Sequence, residues 1–173
     1  MSPALGTRFG GNGDFFGLSY NGDFPAQTLG FGTPATLPPV PNRPGPSIVA
    51  IVRTNSAAPL LQRFSIEDLS FPSAAVRPSQ IAFPAVPRED TDAGDTAAEQ
   101  QRIQKDVLGQ DAYGGALNHT MLYLCMGFDD ARGSFEFQKP LFEPDGRVEV
   151  HWDGAGQQEI FSRINAELRR HEF

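Results

Sequence analysis

The sequence has little cysteine, little histidine and no concentration of positive charge, and each shortage excludes a class of function. The single cysteine, Cys125, excludes an internal disulfide and a zinc site built from cysteines. No pair of the three histidines has metal-ligand spacing supported by nearby acids, so we expect no metal. The formal net charge is −7 and the longest basic cluster is Arg169-Arg170, which argues against nucleic acid as a partner.

Long hydrophobic runs are also missing. No apolar stretch approaches the about 20 residues that a membrane helix needs, so we expect no membrane span. The opening residues, MSPALGTRFGG, lack the charged start and apolar stretch of a signal peptide. The cellular compartment stays open.

Phenylalanine, proline and glycine are abundant. The 173 residues include 14 Phe, 15 Pro and 18 Gly, with 39% hydrophobic residues, which suits one globular domain spanning 1–173. Six prolines fall within 33–46, and this segment is predicted to be a proline-rich loop. Residues 77–95 mix prolines with acids and are predicted to form a loop or lid.

Hydrophobic periodicity predicts strands and two helices. Residues 47–55 and 120–128 are apolar on both alternating faces, as in strands covered on both sides. In 134–137 and 147–152 apolar and polar residues alternate, as in half-exposed strands, and 63–71 alternates more loosely. A helix capped by Thr91 or Asp95 should end at Gly109. A last helix should begin near Gly156, with Ile160, Phe161, Ile164 and Leu168 on one stripe. The fold class predicted is α+β, an antiparallel sheet of about five to six strands backed by helices on one face.

Two segments carry candidate chemistry. Counted from Gly11, GGNGDFFG (10–17) is G-x-G-x-x-x-G, one residue longer than the dinucleotide fingerprint. With no strand predicted before it or helix after it, we interpret it as a turn for close backbone approach. Glu67 and Asp68 should point to opposite faces of a strand, so one carboxylate is either a buried base or an exposed edge acid. The three histidines are weak candidates, and His151 is expected to be exposed. Cys125 is expected to be a small buried hydrophobic residue rather than a reactive thiol. No G-x-S-x-G elbow occurs.

Four stretches, read in order, resemble a known family. LGTRFGGNGDFFGLSYNGD (5–23), FSIEDLSFP (64–72), HTMLYLCMGFDDARGSFEF (119–137) and DGRVEVHWDGAGQQEIFSRINAELRRHEF (145–173) are similar to the glucose-methanol-choline flavin oxidoreductases, in their cholesterol oxidase-like branch. The similarity covers most of the chain outside the proline-rich loops.

The resemblance implies the substrate-binding domain of such an enzyme. One face of its antiparallel sheet would cover a flavin that the FAD-binding domain of the same parent protein holds, so this chain alone should bind no FAD. Glu67, five residues before Pro72, matches the family's base, although Asp68 beside it departs from the sterol oxidase pattern. Gly11, Asn12, Gly13 and Asp14 match a segment near the cofactor.

The implied reaction is oxidation of an alcohol CH–OH to a carbonyl with hydride transfer to the flavin, as oxidase or dehydrogenase. Phe15, Phe16, Met121 and Tyr123 would contact a bulky or apolar alcohol substrate, or else belong to an ordinary core. The alternative function is a stand-alone α+β binding module for an apolar small molecule, without catalysis. A third is an assembly role in which an apolar side is a partner surface.

Overall fold

In the computed structural model, residues 4–31, 48, 50–54, 57–87, 94 and 96–171 are described. This part of the chain is α+β, as predicted. Its strands are β1 (Thr7–Phe9), β2 (Phe15–Ser19), β3 (Leu29–Phe31), β4 (Ile51–Arg53), β5 (Phe64–Leu69), β6 (Phe71–Pro72), β7 (Met121–Gly127), β8 (Gly133–Gln138) and β9 (Arg147–His151). Its helices are α1 (Ser73–Ala82), α2 (Ala97–Leu108) and α3 (Glu159–His171).

The strands form sheets of three, four and two members. Their orders are β1-β8-β9, β2-β7-β5-β4 and β3-β6. The first two sheets are antiparallel, as predicted, but the smallest is a parallel pair in which Leu29 lies opposite Phe71. The predicted strands are therefore present, distributed over several sheets.

Residue contacts divide the chain into two compact units. Unit 1 contains Met1–Phe15, Arg53–Ser65 and Cys125–Ala166, and unit 2 contains Phe16–Val52, Ile66–Leu124 and Glu167–Phe173. The interpretation of the whole chain as one substrate-binding domain stays a prediction.

The core of unit 2 explains why α1 forms where a loop was predicted. The loop prediction for 77–95 is wrong at its start, because α1 continues to Ala82 and contains Pro78. A proline lacks the N–H that a helix interior uses, which favoured a break. Val76 is nevertheless buried in a cluster with Leu29, Phe71 and Leu117, and this packing outweighs the local preference. Residues 88–93 and 95 lie outside the described residues, as does all of 33–46.

The helix α2 begins at Ala97, one residue later than a cap at Asp95 would place it and five residues later than a cap at Thr91 would. Thr96 is its cap: its hydroxyl accepts a hydrogen bond from the Glu99 amide, and the Glu99 carboxylate accepts one from the Thr96 amide. This reciprocal pair satisfies two amides that the first turn leaves without helical partners. Thr91 and Asp95 lie outside the described residues, while Gly109 ends the helix at a φ of 67°, as predicted.

The strand β4 corrects the prediction for 47–55. It lies at the edge of its sheet, and Ile51 and Val52 are exposed rather than covered on both faces. An edge strand has a neighbour on one side only, so its apolar residues need not be buried. Residues 47, 49 and 55 of the predicted strand lie outside the described residues.

In unit 1, two glycines allow a helix to approach the backbone closely. A Cβ at Gly127 would fall 2.5 Å from Cγ1 of Ile160, and one at Gly13 would fall 3.2 Å from its Cγ2. Ile160 and Ile164 of α3 are buried, as their predicted stripe requires.

Candidate functional site

The glycine turn of unit 1 is held by a carboxylate from far along the chain. Oδ2 of Asp129 accepts hydrogen bonds from the amides of Gly11, at 2.7 Å, and Gly13, at 3.0 Å. Its Oδ1 accepts a third from the amide of Ala131, at 2.8 Å. The carbonyl of Asn12 in turn accepts from the amide of Gly127, at 2.6 Å. Bonds to an ionised acceptor are stronger than neutral ones, so Asp129 fixes the shape of this turn.

The turn does not fit the pyrophosphate of a dinucleotide. A strand, β1, does precede it, contrary to the prediction, but β2 rather than a helix follows. A phosphate would need helix N-terminal amides, and the amides of Gly11 and Gly13 already donate to Asp129. The turn is therefore not arranged to bind the pyrophosphate of FAD. Proximity to a cofactor stays a prediction for Gly11, Asn12, Gly13 and Asp14.

Asp14 is the titratable group of the turn. Partial burial raises the pKa of its carboxyl, the negative charge of Asp129 raises it further, and a hydrogen bond with Asn12 opposes both. Asp14 is therefore protonated at a higher pH than an ordinary surface aspartate.

Phe15 closes the turn and packs within unit 1. Its ring meets that of Phe161 edge to face, with centroids 5.4 Å apart. Such pairs stabilise by about 1 kcal/mol beyond the area they bury. Phe15 thus has a packing partner, and its predicted contact with substrate is untested.

Glu67 and Asp68 occupy different faces of β5, as strand alternation predicted, and both are half-buried. Asp68 has a structural task, because its Oδ1 accepts from the amide of Ala50 at 2.6 Å and its own amide donates to the Ala50 carbonyl at 3.3 Å. Among the residues that the structure describes, Glu67 makes no comparable hydrogen bond to the segment that leads into β4, so its carboxylate is the candidate for chemistry on this strand.

Three successive strands carry the predicted substrate contacts of unit 2. In the order β2-β7-β5 they bring Phe16 on the first, Met121 and Tyr123 on the second and Glu67 on the third. Met121 and Tyr123 share one face of β7 and are half-buried, whereas Phe16 is exposed. Cys125, two residues further along that face, is buried, as predicted.

A second Asn-Gly turn, at 21–22, was not singled out from the sequence. Asn21 is buried, and its Oδ1 accepts from Nε of Arg102 at 2.7 Å while its Nδ2 donates to the Glu99 carbonyl at 3.2 Å. Nδ1 of His119 lies 2.9 Å from the Gly22 carbonyl. Burial lowers the pKa of His119, although the Gly22 carbonyl opposes this, so the ring is neutral near pH 7 and donates from Nδ1.

Asp129 was also not predicted. It lies 118 residues from Gly11, so no local pattern connects the two. The available signal was the acid pair at 129–130 directly after an apolar strand, a position where aspartates bind turn amides.

No family model, curated protein or solved structure matches this chain. None of the helices in the described ranges is long and apolar enough to cross a membrane. Among the same residues, no group of three or more histidines, cysteines, aspartates or glutamates is arranged to hold a metal ion.

Proposed function

We propose that this chain is the substrate-binding portion of an FAD-dependent oxidoreductase that oxidises a bulky, apolar alcohol to a carbonyl. The observation that best supports this is the order of strands in the sheet, β2-β7-β5. These neighbouring strands carry Phe16, then Met121 and Tyr123, then Glu67. A carboxylate and apolar or aromatic side chains, carried on neighbouring strands, are the groups that a site for an apolar alcohol needs.

Each group has its own role in the proposal. Glu67 accepts the proton of the substrate hydroxyl. Phe16, Met121 and Tyr123 contact the hydrocarbon body and exclude water. The flavin would accept the hydride of the substrate. The proposal assigns it to another part of the parent protein, because the glycine turn of this chain does not fit its pyrophosphate. The turn at 10–14, held by Asp129, gives that part of the chain a fixed shape.

The test uses the longer reading frame in which this chain would stand, purified with FAD and mixed with sterols and other bulky alcohols. We expect flavin reduction by wild type and a loss of 100-fold or more in its rate for Glu67→Gln, because a positioned base contributes about 10²–10⁴-fold. Asp68→Asn is the control: its carboxylate binds the Ala50 amide, so stability should fall while the rate changes little. A Glu67→Gln variant at full rate would sink the assigned role, and flanking sequence without a dinucleotide fingerprint would sink the proposal itself.

The alternative, a binding module without catalysis, makes a different prediction for the chain alone. A fluorescent sterol would then bind tightly to these 173 residues, and Glu67→Gln would leave that binding unchanged. In the proposed enzyme, the isolated chain holds only part of the site and binds the same probe weakly.

A further inference from the structure

One face of the hairpin β8-β9 is apolar and exposed. The register places Phe135 opposite Val150 and Phe137 opposite Val148, so these four side chains share a face, which we call the hairpin face. They are between 43% and 63% exposed. An exposed cross-strand set of apolar side chains usually marks a surface that packs against another part of a protein or a binding partner.

The other face of the hairpin satisfies its own charges. Arg147 pairs with Glu143 at 3.1 Å and with Glu149 at 2.7 Å, and Nε2 of His151 lies 3.2 Å from the carboxylate of Glu136. Burying these ion pairs against a partner would carry a desolvation cost. The two faces of the hairpin therefore differ sharply, with the polar one suited to water.

The apolar surface continues to the end of the hairpin. Leu141 and Phe142, in the connection between β8 and β9, are 90% and 91% exposed. Together with the hairpin face they leave on the order of 600 Å² of apolar side chain in water. A protein interface of ordinary size needs about 800 Å² per partner, so this surface and its polar rim are large enough for one.

We propose that the hairpin face binds the same face of a second copy of this chain. A two-fold axis parallel to the strands would lay β8 of one copy over β9 of the other, as in face-to-face sheet packing. Phe135 and Phe137 of each copy would then contact the smaller Val150 and Val148 of the other copy, so the same set of contacts forms twice. Surfaces that alternate large and small side chains in this way interlock.

Charge at the ends of the strands favours the same arrangement. Lys139 follows β8 and Asp145 precedes β9, both are exposed, and neither makes an ion pair within the described part of the chain. Setting β8 over β9 brings Lys139 of each copy towards Asp145 of the partner subunit. An isologous contact therefore neutralises two pairs of charges at once.

A second copy fits this surface better than an anionic lipid bilayer. Asp145 lies three residues after the exposed Phe142, and its carboxylate would be repelled by anionic lipid, whereas Lys139 of a second copy can pair with it. A self-complementary surface needs both signs of charge, which Lys139 and Asp145 supply.

The experiment is sedimentation equilibrium of the full chain over roughly 1–200 µM, a range that suits an interface of this size. We expect a monomer–dimer equilibrium. Phe137→Glu should weaken the dimer by 100-fold or more, whereas Phe24→Glu, the same change at an exposed phenylalanine outside the hairpin, should leave it intact. Circular dichroism shows whether each variant keeps its fold.

Charge reversal then tests the geometry. Lys139→Glu and Asp145→Lys should each weaken the dimer about tenfold, and the double variant should restore it to within about twofold. A monomer throughout the range, a dimer that tolerates Phe137→Glu, or single reversals without effect would overturn the proposal. So would a monomer that binds phosphatidylcholine vesicles through Phe137, since the surface would then belong to lipid.

Discussion

At the scale of single residues, the buried carboxylate of Asp106 connects three segments of unit 2. It is fully buried, and its oxygens accept from Nε2 of Gln80 at 2.9 Å and the amide of Leu117 at 2.6 Å. Burial raises the pKa of this carboxyl, and the bonds from Leu117 and Gln80 oppose the rise. The group therefore joins α2 to α1 and to the turn that precedes β7.

We expect Asp106→Ala to lower the free energy of unfolding by about 3 kcal/mol, because it leaves two buried donors without an acceptor and opens a cavity. Asp106→Asn keeps one carbonyl oxygen and should cost clearly less. Urea denaturation of both variants measures the difference. Equal losses would contradict this account: Asn preserves the volume of Asp, so the cost would then come from loss of the carboxylate and not from a cavity.

His119 should make the protein less stable in mild acid. Its folded pKa lies below the ordinary value of 6.5, mainly because of burial. As the pH falls below 6.5, the unfolded chain takes up a proton before the folded protein does, so the free energy of unfolding decreases. The contribution is fully present above pH 6.5 and is lost on acidification.

The measurement is the urea midpoint followed from about pH 7.5 to 5.5, a span around the pKa of free histidine. We expect the midpoint to fall over that span in wild type. In His119→Gln, whose side-chain amide can still donate to the Gly22 carbonyl, the midpoint should fall less steeply. Parallel curves for the two proteins would assign the acid sensitivity to other groups.

At the scale of elements, the approach of α3 to β7 depends on the absence of a side chain at Gly127. A Cβ there would fall 2.5 Å from Cγ1 and 2.9 Å from Cδ1 of the buried Ile160. Gly127→Ala should therefore force the helix outwards and cost about 2 kcal/mol. Gly156→Ala, which meets nothing within 4 Å, is the matched control and should be nearly neutral.

Thermal unfolding of the two variants compares them directly. A Gly127→Ala protein as stable as Gly156→Ala would show that the helix moves without cost.

The elements themselves divide into those that the sequence could reveal and those that it could not. The strands β8 and β9 follow from apolar alternation and β7 from a nearly continuous apolar run, and α2 ends at Gly109 because glycine adopts a positive φ without strain. Pro78 concealed α1, since local chemistry opposes a helix there and only the burial of Val76 in the core supports it. The edge position of β4 is likewise a property of the sheet and not of its residues.

The candidate site divides in the same way. Alternation was enough to separate Glu67 from Asp68, because neighbouring side chains of a strand point to opposite faces. The hydrogen bonds between Asp129 and the glycine turn could not be predicted, because Asp129 and Gly11 are 118 residues apart in the sequence. Contacts of that range depend on how the chain folds back and leave no periodic signal.

At the scale of the whole molecule, the isolated chain should be colourless. The proposed function assigns FAD to another part of the parent protein, and the amides of Gly11 and Gly13 are committed to Asp129. No helix begins at this turn, so it lacks the N-terminal amides that receive a pyrophosphate. Purification in the presence of excess FAD should therefore give protein without the visible absorbance of a bound flavin.

Asp129→Ala sharpens this prediction. It frees both amides, yet β2 still follows the turn, so we expect the variant to lose stability and remain colourless. A yellow wild-type chain would contradict the assignment of FAD to the rest of the parent. A variant that turns yellow when wild type does not would mean that the carboxylate of Asp129 had been occupying an anion site, and that this turn holds the phosphates after all.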